Sequence, residues 1–556
     1  MSESQPTSSQ RSGFQPGEDG FDGQHDSHGR GGPWVAPVVR EYRPGREPGG
    51  LELSSDEAGS PVAALPDTGS IYSGSVWNDC DGSVVQVCDG TSCRLGGAKH
   101  AEMMVRRFGH ECRKVYCLGF CDRSPVAMLP FEQISGHYRT PIRNVAPKAI
   151  LTRRILEGGV PEIEKAMSVG VYGGLLAALQ MPPKNLVEQV ESSGERARNR
   201  GGFPTGKNWR IAAEADADQK YVVANGDEGD PGSFVDRILM EEDPHTIIEG
   251  MILCGYAVGA SKGIAYIRSE YPAAAEVIDR AIREARKEGY LGENICGSGF
   301  SFDIKVFIGK GSYVCSEESA LIASIEGLSG EVRLRPPYPT QVGLHGKPTV
   351  VNSVETLSKI PFIAKEGGAA YAFFGTRATS GTKAICLNHG FNNPGLVEVE
   401  FGITFREVIE KIGGGGRDGE PLAGILVGGP MGTILKPEDW DIPICFEVLD
   451  RHDIHLGHGG IVAIPESADF RDLLGHFVEF MMHESCAQCV PCRLGSQAFM
   501  KALEKNRDVS ELEMMLNAIE EGCPSAFGKF VPGPIWTLLR EFPDRVFGNG
   551  GNAGRQ

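Results

Sequence analysis

Apolar positions change their period several times along this chain, and each change marks an element. From about residue 160 to 365, continuous apolar runs alternate with stretches whose apolar positions fall at helical spacing. YVVANGDEGDPGSF reads as a buried strand entering a turn, PHTIIEGMILCGYAVGA as a helix, KGIAYIRSE as a second strand and AAAEVIDRAIREARKEG as a strongly amphipathic helix. Strand and helix in alternation predict a mostly parallel sheet with helices on its faces.

A smaller α/β unit precedes this region. SVVQVCDG predicts a short strand ending in a loop, and GGAKHAEMMVRRFG a helix with Ala101, Met104, Val105 and Phe108 on one face. KVYCLG is a second strand-like run, with SPVAMLP after it, so cysteines fall on two loops of the unit. From Thr382 to about Gly460 the chain is glycine-rich, with short strands and one helix, TFREVIEKIG; from Ala468 onward it reads as several helices.

Composition sharpens the picture at three points. Residues 1 to 50 hold 10 Gly and 6 Pro, above the ~25–30% that marks low-complexity chain, so a disordered tail is expected over 1–75. The 556 residues leave room for three or four domains, at roughly 150 residues each. The formal net charge of −18 argues against a nucleic-acid surface or an anionic membrane as the main partner.

MSESQPTSSQ lacks the basic and apolar regions of a secretory signal. The most apolar runs, such as GMILCGYAVGA, fall far short of the ~18 residues of a membrane span. The expectation is a cytoplasmic protein without a membrane span. Its fifteen clustered cysteines then favour metal or redox chemistry over disulfides.

The candidate chemistry begins with ESCAQCVPCRLGS. Cys486, Cys489 and Cys492 form C-x2-C-x2-C, and Cys523 follows 31 positions later. Three thiolates on one turn and a fourth returned by the fold suit a [4Fe-4S] cubane. A structural zinc site is the alternative, although zinc more often uses two separated C-x2-C pairs. Cys88 with Cys93 and Cys117 with Cys121 are two pairs on two loops, able to hold two irons; zinc or a redox disulfide would use the same residues. Cys80, Cys112, Cys254, Cys296, Cys315, Cys386 and Cys445 lack such spacing and read as core or incidental thiols.

ERARNRGGFPTGKNW could let backbone approach a phosphate, or be an ordinary turn; it does not follow the G-x-G-x-x-G fingerprint. NGDEGDPGSF ends a predicted strand, where α/β sheets place ligands, or is a solvated turn.

Taken together, GGFPTG, NGDEGDPGSF, GSYVCSEESALIASIEG, RPPYPTQVGLHGKPTVVNSVET and ESCAQCVPCR resemble the NADH-oxidising flavoprotein subunit of respiratory complex I and its relatives in soluble NAD-reducing formate dehydrogenases and hydrogenases. Residues 80 to 130 resemble the partner subunit that carries a [2Fe-2S] cluster on a thioredoxin-like fold, here fused in front. The resemblance implies an α/β protein with a thioredoxin-like [2Fe-2S] domain at 80–140, a Rossmann-like FMN and NADH domain at 160–370, a small ubiquitin-like β-grasp domain at 382–460 and a helical [4Fe-4S] domain at 466–545.

It also implies site residues. Gly202, Asn225, Asp227, Glu228, Tyr313, Glu317, Asn352 and Thr356 would line or bind FMN and its nucleotide partner. Phe203 and Tyr338 would sandwich the adenine of NADH, Arg335 would stand where the family commonly has Lys, and Glu318 would be the catalytic carboxylate near the nicotinamide. Departures from the family pattern are Asn199 and Arg200 for glycines, Asn208 for a phosphate-side Lys, Asp230 for Glu, Ser316 for Gly and Ser353 for Asn. Lys207 or Arg200 would then supply the missing phosphate charge.

The implied activity is that of a diaphorase, exchanging hydride between NAD(H) and FMN and passing electrons singly to iron–sulfur clusters. The expected partner is a molybdenum or tungsten formate dehydrogenase alpha subunit, with the subunits of an NAD-reducing [NiFe]-hydrogenase as the alternative. A non-catalytic iron–sulfur scaffold that has lost flavin is the rival from another class.

Overall fold

The computed structural model describes residues 84–128, 140–197 and 202–548. The expected tail at 1–75, Cys80, and Arg198 with the substituted Asn199 and Arg200 lie outside them.

The first unit is a three-stranded sheet in the order β2-β1-β3. β1 (Val85–Cys88) runs parallel to β2 (Cys112–Val115) and antiparallel to β3 (Ala127–Met128). Its helix Ala98–Arg107 turns Ala98, Ala101 and Val105 inward. KVYCLG does not continue as a strand, because β2 ends at Val115 and the chain from Tyr116 is the loop that carries Cys117.

The central unit is the predicted parallel sheet, with strands ordered β7-β6-β5-β8: β5 (Tyr221–Gly226), β6 (Lys262–Arg268), β7 (Asp303–Gly309) and β8 (Thr349–Ser353). β5, between β6 and β8, buries Val222, Val223 and Ala224 on both faces, hence its unbroken apolar run. The helix Pro244–Val258 is apolar all round because nearly every residue in it is buried. The helix Pro272–Lys287 buries one stripe of Ala and Ile and ends on Arg286 and Lys287, favourable at a helix C-terminus.

The third sheet is mixed and six-stranded, in the order β12-β11-β13-β9-β10-β4. β9 (Thr382–Leu387), β10 (Gly395–Glu400), β11 (Leu422–Val427) and β12 (Thr433–Leu435) lie inside the range expected for this unit. β13 (Gly460–Pro465) continues past it, and β4 (Ile142–Asn144) joins from far upstream, parallel to β10. Glu398 of β10 holds that upstream chain, accepting from the backbone amides of Ile150, Leu151 and Thr152 and from the hydroxyls of Thr152 and Thr382. TFREVIEKIG is a π-helical turn over Glu407–Ile412.

The C-terminal part is helical, as predicted, beginning with Phe470–Glu484, whose N-terminus is capped by Asp469. Among the described residues no helix is long and apolar enough to cross a membrane.

Candidate functional site

The C-terminal ends of β5, β7 and β8 bring the expected flavin residues together, at the edge where parallel sheets bind ligands. Asn225 ends β5; its side-chain amide donates to the Ser316 carbonyl at 3.0 Å, and its Oδ1 accepts from the Asp227 amide at 3.0 Å. Ser316 Oγ returns a bond to the Asp227 carbonyl at 3.0 Å, tying the loop after β5 to the turn after β7. A Cβ at Gly229 would meet the Tyr313 ring at 2.7 Å, so only glycine fits that contact. On β8, Asn352 Oδ1 accepts from the Trp209 indole N–H at 2.9 Å. Thr356 opens the following helix, capped by Ser353.

Burial raises carboxyl groups at this site. Burial pushes Asp227 up to about 7, and its Oδ2 is buried with no hydrogen-bond partner. Burial likewise pushes Glu318 up to about 7. An orphaned acceptor on a loop that also offers a glycine approach and paired amides fits a polar, flat ligand such as FMN. Across the opening, Glu317 caps the helix Glu318–Ile325 by accepting from the amides of Ser319 and Ala320. Arg335 bridges Glu317 and Glu318, at 2.8 Å from the latter.

Phe203 and Tyr338 are both half exposed, at 45% and 52%, as aromatic faces waiting for a partner would be. Gly202, before Phe203, has φ +50, and a Cβ there would strike the Phe446 ring at 2.9 Å. Lys207 is exposed one turn into the helix Thr205–Glu214. Glu228, expected among the cofactor-binding residues, is fully buried; its carboxylate accepts from the backbone amides of Val235, Asp236 and Arg237 and so caps the next helix.

The structure brings both cysteine sets together. Cys486, Cys489 and Cys492 follow the end of Phe470–Glu484, and Cys523 directly follows the helix Val509–Gly522. Cys489 and Cys523 sulfurs are 3.3 Å apart, and Cys492 lies against Cys523. Four thiols at this spacing suit a cubane cluster. In the first unit Cys117 and Cys121 sulfurs are 3.5 Å apart, and Cys88 contacts both Cys93 and Cys117. All four are buried and free, and 3.5 Å is far beyond the ~2.05 Å of a disulfide bond.

Three residues at this site carry no local signal in the sequence for the contacts they make. His458 Nδ1 lies 2.7 Å from Asp230 Oδ2 across 228 positions. Glu484, pushed up to about 7 by burial, accepts from the Tyr313 amide across 171 positions. Arg335, expected at the nucleotide, contacts the carboxylates of Glu317 and Glu318. Such partners are set by tertiary register, which residue spacing does not encode.

The family model described as the Nuo51 FMN-binding domain matches residues 190–362, and the NADH-ubiquinone oxidoreductase-F iron-sulfur binding region matches residues 472–547. The NADP-reducing hydrogenase subunit HndC of Solidesulfovibrio fructosivorans is 42% identical over 387 residues, covering 68% of this chain and 79% of that protein. The mitochondrial NADH-ubiquinone oxidoreductase 51 kDa subunit of Neurospora crassa is 36% identical over 395 residues, 69% of this chain and 80% of its own length. Among solved structures, an NAD+-reducing [NiFe]-hydrogenase in the H2-reduced state superposes with a TM-score of 0.71 at 27% identity, over 83% of both chains. That is more of this chain than residues 140–548 make up. With an FMN-binding domain and a [4Fe-4S]-binding region in the family's order, the chain belongs to the family of FMN- and iron–sulfur-binding flavoprotein subunits that includes those of NADH-quinone oxidoreductases and of the NADP-reducing hydrogenase.

Proposed function

We propose that this chain is the NAD(H)-reacting diaphorase subunit of a multi-subunit oxidoreductase. The observation that carries the reading is the buried, unpartnered Asp227 Oδ2 beside Asn225 and Gly229, inside the region that matches an FMN-binding domain. FMN, when bound, takes a hydride from NADH and releases electrons singly.

The chain's own residues do the rest. Asn225, Asp227 and Asn352 present polar groups at the sheet edge, Phe203 and Tyr338 offer aromatic faces to an adenine, and Lys207 offers charge to a phosphate. Glu318, part-protonated near neutrality, would accept or donate a hydrogen bond at the nicotinamide side, and Arg335 holds it until a nucleotide arrives. Cys486, Cys489, Cys492 and Cys523 would hold the [4Fe-4S] cluster, and Cys88, Cys93, Cys117 and Cys121 a [2Fe-2S] cluster in a thioredoxin-like unit. The 382–460 region would be the β-grasp unit.

For the partner, the hydrogenase names among the relatives support hydrogenase subunits over the formate dehydrogenase alpha subunit that the fused N-terminal unit suggested. The superposable hydrogenase chain covers 83% of this chain, which supports the same partner.

The test is anaerobic purification of the native complex, flavin quantification, and NAD+ reduction with H2 and, separately, with formate. Bound flavin bleached by NADH, with H2-driven NADH formation, is the expected result. Formate-driven formation would replace the partner, and a flavin-free protein with intact clusters would favour the scaffold.

A further inference from the structure

Asp230 stands one residue past Gly229 in the loop after β5, where the family resemblance leads one to expect Glu. Its carboxylate is buried, and both oxygens are taken. Oδ1 accepts from the Tyr313 hydroxyl at 2.6 Å, and Oδ2 accepts from His458 Nδ1 at 2.7 Å and from the His458 amide at 3.2 Å. One carboxylate thus joins the loop after β5, the turn after β7 that carries an expected flavin-lining tyrosine, and the turn that enters β13 of another sheet. Tyr313 is in turn packed edge-on against Phe480 and Phe527 of the helical unit, at 5.1 and 5.8 Å between ring centres.

We infer that His458 is a positioning residue of the hydride-exchange site, which as an imidazolium neutralises Asp230, fixes the Tyr313 hydroxyl and so admits the anionic nucleotide. The inference rests on the proposed diaphorase reading. It goes beyond it by assigning a role to a residue outside the matched FMN-binding region 190–362.

The surroundings favour the charged ring. Burial opposes it, but Asp230 most of all, then Asp236 and Glu228, raise His458 to about 9. Asp227 is close enough to feel its charge. On the remaining side, Lys383 of β9 donates to the His458 carbonyl at 2.8 Å while its charge is met by Glu355 of the helix Val354–Glu366. Asp236, opening the helix Val235–Glu242, is itself pushed up by burial, and Asp230, in direct contact, is the carboxylate that answers the ring. When the ring loses its proton, Asp230 is left as a buried, uncompensated anion beside the loop where nucleotide phosphates and a reduced flavin would add negative charge. Anion affinity must then fall.

The test compares the flavin-loaded native complex of wild type and His458→Asn, which keeps a donor at the Nδ1 position and has no proton to lose. Wild type should show a KM for NADH that is flat from pH 7 to about 8.5 and rises above about 9, at least about threefold, with kcat changing less. The flavin midpoint potential, followed by spectroelectrochemistry, should break in slope at the same pH. In His458→Asn both features should vanish and KM at neutral pH should already be raised. Asp230→Asn provides the second readout: without the carboxylate the break should move down towards the ordinary histidine range near about 6.5.

An unchanged break near pH 9 in His458→Asn would overturn the inference while leaving the diaphorase reading intact. Should His458→Asn fail to assemble, the direction of the Asp230→Asn shift decides. A wild-type complex without NADH-bleachable flavin would overturn both.

Discussion

Replacing Asp227 with asparagine separates what the site costs the fold from what it does for a ligand. Asp227 has an ordinary value of 3.8 and is pushed by burial to about 7 in the folded chain. Folding therefore favours its neutral form. Below about pH 4 the group is protonated in both states and costs nothing; from 4 to 7 the cost grows, and above about 7 it is constant. Three units at 1.36 kcal/mol each make this at most about 4 kcal/mol of stability forfeited at pH 8. An asparagine side chain at this position would be neutral at every pH and nearly isosteric.

The flavin-free Asp227→Asn protein should accordingly be no more stable than wild type at pH 4 and more stable at pH 8. Even half of the full value, about 2 kcal/mol, would raise Tm by roughly 4–8 °C for a unit of 150–250 residues. The flavin-loaded protein should show the reverse at pH 8, losing FMN faster because the ionised acceptor has become a mixed donor and acceptor. Thermal unfolding of stripped and loaded protein at both pH values, with flavin fluorescence to follow release, measures both halves. A Tm difference that is the same at pH 4 and pH 8 would refute the reasoning, since it would show that Asp227 is not forced towards its neutral form by folding.

Three further outcomes are expected. Arg335→Ala frees Glu317 and Glu318 and removes a cation from the cleft, so KM for NADH should rise about tenfold with kcat less affected, read from steady-state kinetics. Cys523→Ser should abolish the low-temperature EPR signal of the C-terminal cluster while leaving flavin content unchanged, because Cys523 sits on the helical unit and not at the β5–β8 edge. Glu398→Ala strands three buried amides, and at about 1–3 kcal/mol for each unsatisfied group it should cost at least about 3 kcal/mol, seen as a lower urea midpoint and faster proteolysis near Ile150.

What the sequence made legible follows from physics that acts locally. β5 and β6 are buried on both faces, so each reads as a bounded apolar run, and the helix Pro272–Lys287 buries one stripe, so it reads as a period. Cysteine spacing is legible for the same reason, since a cluster's corners are reached from one tight turn. β4 is different. Ile142, Arg143 and Asn144 show no pattern, and they form a strand only because β10 offers a free edge more than 250 positions away. TFREVIEKIG has helical periodicity, yet glycines at 413 to 416 follow it and the turn widens to a π-helix. The pairing of Asp230 with His458 belongs to this second class: each residue sits in a glycine-rich turn that looks like solvated loop until two sheets are packed together.

The arrangement of the first unit bears on how the chain uses its cofactor sites. Its cysteine loops are held by the central unit: Arg237 of the helix Val235–Glu242 donates to the Gly119 carbonyl at 2.9 Å, and Arg268 at the end of β6 to the Tyr116 carbonyl at 3.3 Å. On the other side Arg94, next to Cys93 and paired with Asp89 of its own unit at 3.2 Å, pairs with Asp472 at 2.8 Å, and Thr91 meets His476 at 3.2 Å, both on the helix that leads to Cys486. Tyr116, next to Cys117, stands edge-on to Phe480 at 5.4 Å, and Phe480 to Tyr313 at 5.1 Å. Buried ion pairs add little net stability but hold a fixed orientation once desolvated. Tyr116 beside Cys117, Tyr313 and the helix before the triple cysteine therefore meet at one aromatic side chain, Phe480. An electron-transferring flavoprotein subunit needs its redox groups at unchanging separations, and an interface built of part-buried ion pairs and interlocked rings supplies that more surely than a flexible linker would.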